Sequence, residues 1–378
     1  MTSRRNFIQA TSILIGTIVG AGIFGLPYAF SKVGFFPGIF YLLFLGIVFL
    51  ITKFCYTEVI LRTKGDMEMS GYVRRYLGKN WQILITVSLI LGIFSALIAY
   101  TIGVGQFLYA ILGPVLGGSQ IFWSLCFWTL ASILVFKGIG IISKVELFMA
   151  FGLIAIVLIV FVMSYSYIDV NNLKSFNLQN LFFPYGAVLF ALGGATAIPT
   201  MRRMLSNDVK LLRKAIVLGL SIPILIYILF SLTVIGVSGE FVSETAVTGL
   251  AKITNGGILL IGGIFGILAM TTSFLALGHI LMQLFRRDYK VPRFPAWALT
   301  VFVPLVVFLL GLRSFIVVIS FAGGILSGIQ GIALVASYYR AKKMGDRKPE
   351  FNFNLAKPIA YVIYAVFFFG IVYQFICE

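Results

Sequence analysis

The sequence predicts an all-α polytopic membrane protein of eleven transmembrane helices, the first and sixth of them broken at mid-membrane. Three observations carry this reading. The first is composition: 60% of the 378 residues are hydrophobic and 11% charged, with a mean hydropathy of +1.04. That is far more apolar than a soluble domain, although length alone would suggest two or three soluble domains. The second is a series of eleven apolar runs approaching or exceeding the roughly 20 helical residues that a hydrocarbon core about 30 Å thick requires. The third is the division of basic residues between alternate loops.

The runs lie at residues 7–31, 36–61, 81–112, 120–136, 143–167, 183–205, 212–237, 256–285, 294–312, 314–339 and 356–377. The fourth is short, and the ninth and tenth nearly touch. With a cytoplasmic N-terminus, all 29 Lys and Arg except Lys32, Lys174, Lys252 and Arg313 fall on the inner side, the positive-inside pattern. A miscounted span would scramble that division, so it supports both the count and an extracytoplasmic C-terminus. The net charge of +17 therefore describes orientation in a lipid bilayer rather than a nucleic-acid partner. Ser3-Arg4-Arg5-Asn6-Phe7-Ile8 resembles a twin-arginine export signal. The run behind it is long enough to span, however, and no convincing cleavage site closes it, so the arginines read as an inner anchor.

The first span carries Gly20-Ala21-Gly22-Ile23-Phe24-Gly25-Leu26-Pro27 and the sixth Gly193-Gly194-Ala195-Thr196-Ala197-Ile198-Pro199, with the same interval from Gly22 to Pro27 as from Gly194 to Pro199. Glycine weakens a helix and exposes its polar backbone. In lipid, irregular backbone survives only when buried in protein or lining a cavity. Two such breaks in corresponding places point to a ligand site; close helix packing through small residues is the other reading. Five helices is an odd number, so the second half enters the membrane in the opposite sense. The expected organisation is one membrane domain over 1–378, with inverted repeats at 7–167 and 183–340 and an extra helix at 356–377.

Three connections read as ordered or polar elements. Ser70 to Gly78 is a basic amphipathic stretch expected on the inner membrane surface. Ser243 to Ile253 reads as a short amphipathic helix, either a lid over an outer vestibule or a surface helix. Arg340 to Glu350 is polar and expected to be mobile. Cys55, Cys126 and Cys377 show no metal or disulfide spacing and read as small buried hydrophobes.

The run Gly16-Thr17-Ile18-Val19-Gly20-Ala21-Gly22-Ile23-Phe24-Gly25-Leu26-Pro27-Tyr28-Ala29-Phe30, followed by Gly34, resembles the first helix of the amino acid/auxin permease family, within the amino acid-polyamine-organocation superfamily. Leu189 to Thr200 with Arg202, Arg203 and Met204 resembles that family's sixth helix. Thr272-Ser273-Phe274-Leu275 resembles the eighth helix of its bacterial aromatic and hydroxy amino acid permeases. The resemblance implies the LeuT fold and ion-coupled import of amino acids at the plasma membrane by alternating access, with neutral or aromatic substrates expected.

A zwitterionic substrate suits a broken helix. Half-helix N-termini offer free N–H groups and about half a positive charge, and half-helix C-termini offer free carbonyls and the opposite. The substrate carboxylate is assigned to the N–H groups of Ala21, Gly22 and Ile23. The ammonium is assigned to carbonyls near Gly20, Phe190 and Leu192, with Gly193 and Gly194 completing the second break. Tyr100 reads either as a hydroxyl at the site or as packing, and Phe190 as a wall of the side-chain pocket or as packing.

The resemblance further implies a sodium site between the first and eighth helices. Its matching positions are the carbonyls of Gly16, Val19 and Ala269 and the hydroxyls of Thr272 and Ser273, oxygen ligands suited to a hard cation; hydroxyls capping their own helix are the alternative. Sodium and proton coupling both stand at this point, with no other cofactor expected. His279, two turns beyond Thr272, reads as a proton carrier or a packing histidine. Lys53 and Glu58 read as snorkelling or paired residues without a transport role. No catalytic cluster accompanies His279, so an enzyme is not expected. A sensor or channel-like protein on the same fold is the rival reading.

Overall fold

The computed structural model describes residues 2–137, 143–206, 208–246, 249, 257–287 and 289–377. The chain runs through fifteen α-helices among these residues. They are α1 (Thr2–Ile18), α2 (Gly22–Val33), α3 (Phe35–Arg62), α4 (Met69–Leu77), α5 (Lys79–Leu116), α6 (Gln120–Lys137), α7 (Ser143–Ser164) and α8 (Pro184–Ala191), followed by α9 (Ile198–Met204), α10 (Val209–Ser238), α11 (Gly257–Arg287), α12 (Arg293–Leu309), α13 (Phe315–Phe321), α14 (Gly328–Met344) and α15 (Lys357–Cys377). A π-helical segment, Ala322–Ser327, joins α13 to α14. By length and hydropathy, seven continuous helices could cross a membrane, and the bent pair α1–α2 makes an eighth.

The helices are apolar on all sides, as membrane spans must be. Phe36, Phe40 and Ile47 on α3, Ile83 on α5, Val306 on α12 and Phe369 on α15 lie on the exterior, as large apolar side chains facing lipid do. Inside, small residues permit close approach. Gly25 faces Ile319, Gly219 faces Leu14, and Gly266 faces Phe107. Two indoles fasten α6 to α12: Trp128 Nε1 donates to the Val301 carbonyl at 3.0 Å and Trp297 Nε1 to the Ser132 carbonyl at 2.9 Å.

The broken helices occupy the centre. Half-helix α2 packs on α8 while α1 packs on α9, and α3 and α10 flank both pairs. The breaks thus lie level with one another. Beside them α5 packs on α11, α12 and α13.

Two connections depart from the sequence reading. Helix α4 forms as expected, but its apolar face, Tyr72, Val73 and Tyr76, is buried against α5 and α14 rather than turned to lipid. The segment after α14 is tethered instead of mobile. The Asp346 carboxylate accepts from the Lys64 backbone N–H at 2.9 Å and pairs with Arg75, and Glu350 pairs with Arg202 at 3.4 Å. The Lys64 N–H, with Arg75 beside it, holds the Asp346 carboxyl below the usual carboxylate range. This tether is intact above that range and is lost as pH falls through the lowered value. Most of the 243–253 stretch lies outside the described residues. Glu244 does not: it accepts from Ser314 Oγ at 2.9 Å and the Phe315 N–H at 2.7 Å, capping α13.

Glu58 is fully buried at the basic end of α3, accepting from Arg62 Nε at 2.7 Å and the Phe353 N–H at 2.6 Å. Removing that carboxylate strands two donors. Glu58→Ala should cost about 2–3 kcal/mol and lower the thermal midpoint in detergent, with Glu58→Gln less harmful because its amide oxygen still accepts.

Candidate functional site

The first break is a turn from Val19 to Ala21 between α1 and α2, whose axes differ by 51°. Val19 donates back to Ile15 at 2.7 Å, Gly20 to Ile18 at 3.0 Å and Phe24 to Ala21 at 3.1 Å. The N–H groups of Ala21, Gly22 and Ile23 make no backbone hydrogen bond among the described residues. Together they form the electropositive end of α2, an arrangement suited to an anion.

The second break is more abrupt. Leu192 and Gly193 close α8 by donating to Val188 and Phe190 at 2.9 and 3.2 Å. Gly194 then adopts a left-handed conformation at φ +92°, which a side chain rarely tolerates. A single 3₁₀ turn, Ala195–Ala197, leads into α9, with Pro199 in its first turn. The breaks also touch across the interface. A Cβ on Gly22 would stand 2.7 Å from Ala191 Cα, and one on Gly194 would stand 3.0 Å from the Ile18 side chain. Ligand approach and close packing, posed above as alternatives, are thus both compatible with the same glycines.

Two residues to which the sequence reading assigned no role at the site organise this centre. Tyr227, buried on α10, directs its hydroxyl to the Ile18 carbonyl at 2.8 Å and the Ala191 carbonyl at 3.1 Å, the ends of α1 and α8. Lys53 is wholly buried and does not snorkel. Its Nζ donates to the Leu192 and Gly193 carbonyls, each at 3.0 Å. The expected acceptor at Leu192 is therefore already engaged by the protein's own ammonium. A signal existed for Lys53: it lies eight residues inside the 36–61 run, about 12 Å of helix from its end at 1.5 Å per residue, beyond a lysine's reach. Tyr227 gave none, since a lone aromatic in an apolar helix usually packs.

Of the other expected residues, Tyr100 approaches the first break, its hydroxyl 3.7 Å from where a Gly20 Cβ would stand. It also interacts with the Ser273 side chain, linking the break to α11. Phe190 is half-buried against Ala322, Ile325 and Leu326 of the π-helical segment. On α11, Thr272 Oγ1 donates to the Ala269 carbonyl at 2.9 Å, so two expected cation ligands satisfy each other in this arrangement. Helix α1, carrying Gly16 and Val19, packs on α7, α9 and α10. His279 Nδ1 is buried without a hydrogen-bond partner among the described residues.

A cleft of about 540 Å³ opens on the basic face, between Ile60, Lys64, Asp66, Arg202, Arg203 and Arg347. Another of about 510 Å³ opens on the opposite face, lined by Gln106, Gln120, Ser124, Glu244, Phe308 and Arg313.

An all-helical, multi-pass membrane protein with two opposed broken helices at its core is a solute carrier in class. The solved structure of MhsT in complex with L-phenylalanine, which has the LeuT fold, superposes at a TM-score of 0.60 and 15% identity, covering 99% of this chain and 97% of that one. The chain is 26% identical to Tyrosine-specific transport system 1 of Haemophilus influenzae over 363 residues, 90% of each protein. It is 25% identical to Glutamine transporter 2 of Aliivibrio fischeri over 326 residues, 83% of this chain and 84% of that one. The tryptophan/tyrosine permease family matches residues 3–377, and the chain belongs to that family. The match agrees with the bacterial aromatic permease part of the resemblance, and the family shown is the tryptophan/tyrosine permeases.

Tyr227→Phe removes the one hydroxyl shared by the two half-helix ends. It should cost about 1–3 kcal/mol for the stranded carbonyls, read as a lower thermal midpoint, and should weaken amino acid binding measured by calorimetry in detergent.

Proposed function

We propose that the protein is an ion-coupled secondary amino acid carrier of the bacterial inner membrane, importing neutral or aromatic amino acids by alternating access. The observation that carries the reading is the set of open N–H groups at Ala21, Gly22 and Ile23. In this reading they receive the substrate carboxylate. The ammonium is received by carbonyls around Gly20 and by Phe190, with Tyr100 supplying a hydroxyl. Leu192 serves through its place in the break rather than as a free acceptor. Backbone dipoles suit this depth because a charged side chain there costs at least about 2.5–3.5 kcal/mol on insertion scales.

The substrate class is supported by relatives named as tyrosine and glutamine transporters and by a neighbour solved with phenylalanine. The frame is eleven spans with a cytoplasmic N-terminus, inverted repeats at 7–167 and 183–340 and an added helix at 356–377, supported by the loop charge division. The resemblance to amino acid/auxin permeases supports coupling through either sodium or protons. A sodium ion would take the Gly16, Val19 and Ala269 carbonyls with the Thr272 and Ser273 hydroxyls, after Thr272 releases Ala269. A proton route on α11 would use His279.

Gly22→Leu and Gly194→Leu should each abolish tyrosine uptake into proteoliposomes while leaving the protein inserted. Near-normal uptake in both would remove the site assignment. Coupling is read from the same vesicles under separate sodium and pH gradients. If sodium is the ion, Thr272→Ala with Ser273→Val should eliminate sodium stimulation of tyrosine binding, since the linkage is reciprocal. Should uptake follow only the pH gradient, normal transport by His279→Gln would assign that histidine to packing.

A further inference from the structure

The second break has an occupant that the carrier reading does not use. Lys53 Nζ lies 3.0 Å from both the Leu192 and Gly193 carbonyls and 4.7 Å from the centroid of the Phe49 ring. It has no exposed surface. The two carbonyls belong to the electronegative end of α8, so the ammonium is held by a half-helix dipole and an aromatic face.

Among the described residues no carboxylate completes the arrangement. Helices α2, α8, α9, α10 and α14 pack on α3; Glu58 is the one carboxylate that α3 and these elements carry, and the Tyr56 hydroxyl on α3 is buried without a hydrogen-bond partner among the described residues. Glu58 binds Arg62 and the Phe353 N–H. Arg213 lies over the Phe54 and Phe351 rings. Arg202 and Arg203 pair with Glu350 and Glu68. The Tyr227 hydroxyl is spent on Ile18 and Ala191, and Tyr185 donates to the Val366 carbonyl. Tyr338 and Tyr339 donate to Phe353 and Leu355. On α2, Lys32 lies over the Tyr28 ring. Nothing on these elements neutralises Lys53 by charge.

An ammonium buried without a counter-ion depends wholly on its acceptors. Both acceptors sit at the hinge of the α8–α9 span, the element that alternating access must rearrange. When the hinge withdraws them, the cation must reach water or lose its charge. Protonation of the amine and the shape of the second break are then two sides of one equilibrium, each biasing the other.

We propose that Lys53 carries the coupled proton, a proposal that rests on the carrier reading above. Its amine takes a proton from water on the outer side, and the resulting ammonium holds the Leu192 and Gly193 carbonyls in one arrangement of the break. In the other arrangement the N–H bond breaks, the proton passes to water in the cleft on the basic face, and the nitrogen keeps its electron pair as a neutral amine. One proton crosses per cycle with the substrate, and no fixed counter-ion is required.

The test uses the full-length protein in proteoliposomes with L-tyrosine, comparing wild type, Lys53→Met and Lys53→Arg. Two readouts are taken: accumulation driven by an inward-directed pH gradient, and tyrosine exchange without any gradient, which needs no net proton movement. Wild type should accumulate tyrosine under the pH gradient. Both variants should lose that accumulation by at least about tenfold, within the usual span of coupling between sites, while exchange by Lys53→Arg remains measurable.

Arginine separates coupling from capping, because its guanidinium donates to the same carbonyls yet does not deprotonate. Accumulation by Lys53→Arg under the pH gradient would make Lys53 a helix cap and overturn the proposal. So would wild-type accumulation that follows sodium alone, which leaves the carrier reading standing. Absence of any amino acid uptake or exchange by wild type would instead remove the carrier reading itself, and the Lys53 proposal with it.

Discussion

A helix interrupted inside a membrane must satisfy its freed backbone groups without water, and this constraint organises the protein. Each half-helix end exposes carbonyls or N–H groups whose burial unpaired costs several kcal/mol. Here the two polarities are treated differently. The carbonyl ends of α1 and α8 are met from within, by Tyr227 at Ile18 and Ala191 and by Lys53 at Leu192 and Gly193. The N–H end of α2, at Ala21, Gly22 and Ile23, makes no backbone hydrogen bond among the described residues. That asymmetry gives the centre a net appetite for an anionic group, which is what the proposed carboxylate subsite uses.

The scaffold is arranged to deliver those two partners. Helices α3 and α10 pack on the broken pairs and on each other, so a side chain from each can reach the interrupted backbone. Gly22 against Ala191 and Gly194 against Ile18 let the breaks approach closely enough for one tyrosine hydroxyl to serve both. A second irregularity lies against the first. The π-helical Ala322–Ser327 packs on α8 through Gly323, whose Cβ would collide with the Gly186 and Phe190 backbone. π-Segments gather at functional sites because they loosen the helical ladder, and this one adjoins Phe190.

Towards the basic face the contacts change in character. Arg202 with Glu350, Arg203 with Glu68 and Arg75 with Asp346 tie α9, α4 and the segment after α14 together. These pairs are largely exposed, so each contributes little to stability. The buried caps at the breaks, by contrast, hold the geometry of the interrupted backbone.

The sequence by itself determined the membrane class, the loop charge division and both breaks, because each is written locally. Bilayer thickness sets the length of apolar runs, and clustered glycines weaken the helix that carries them. The amphipathic 70–78 stretch was legible for the same reason, although which surface its apolar face would meet was not. Only tertiary structure decided what the broken ends bind. Lys53 and Leu192 are 139 residues apart in the chain and Tyr227 and Ile18 are 209 apart, separations across which no local pattern operates. The sequence therefore offered the Leu192 carbonyl as a free acceptor and Lys53 as a snorkelling or paired charge, and packing joined the two. The π-helical segment was hidden likewise, since Ala322-Gly323-Gly324 reads as ordinary small-residue packing until α8 is laid against it. What a broken helix exposes is fixed by its own residues, but what satisfies it is fixed by whichever helix the fold sets beside it.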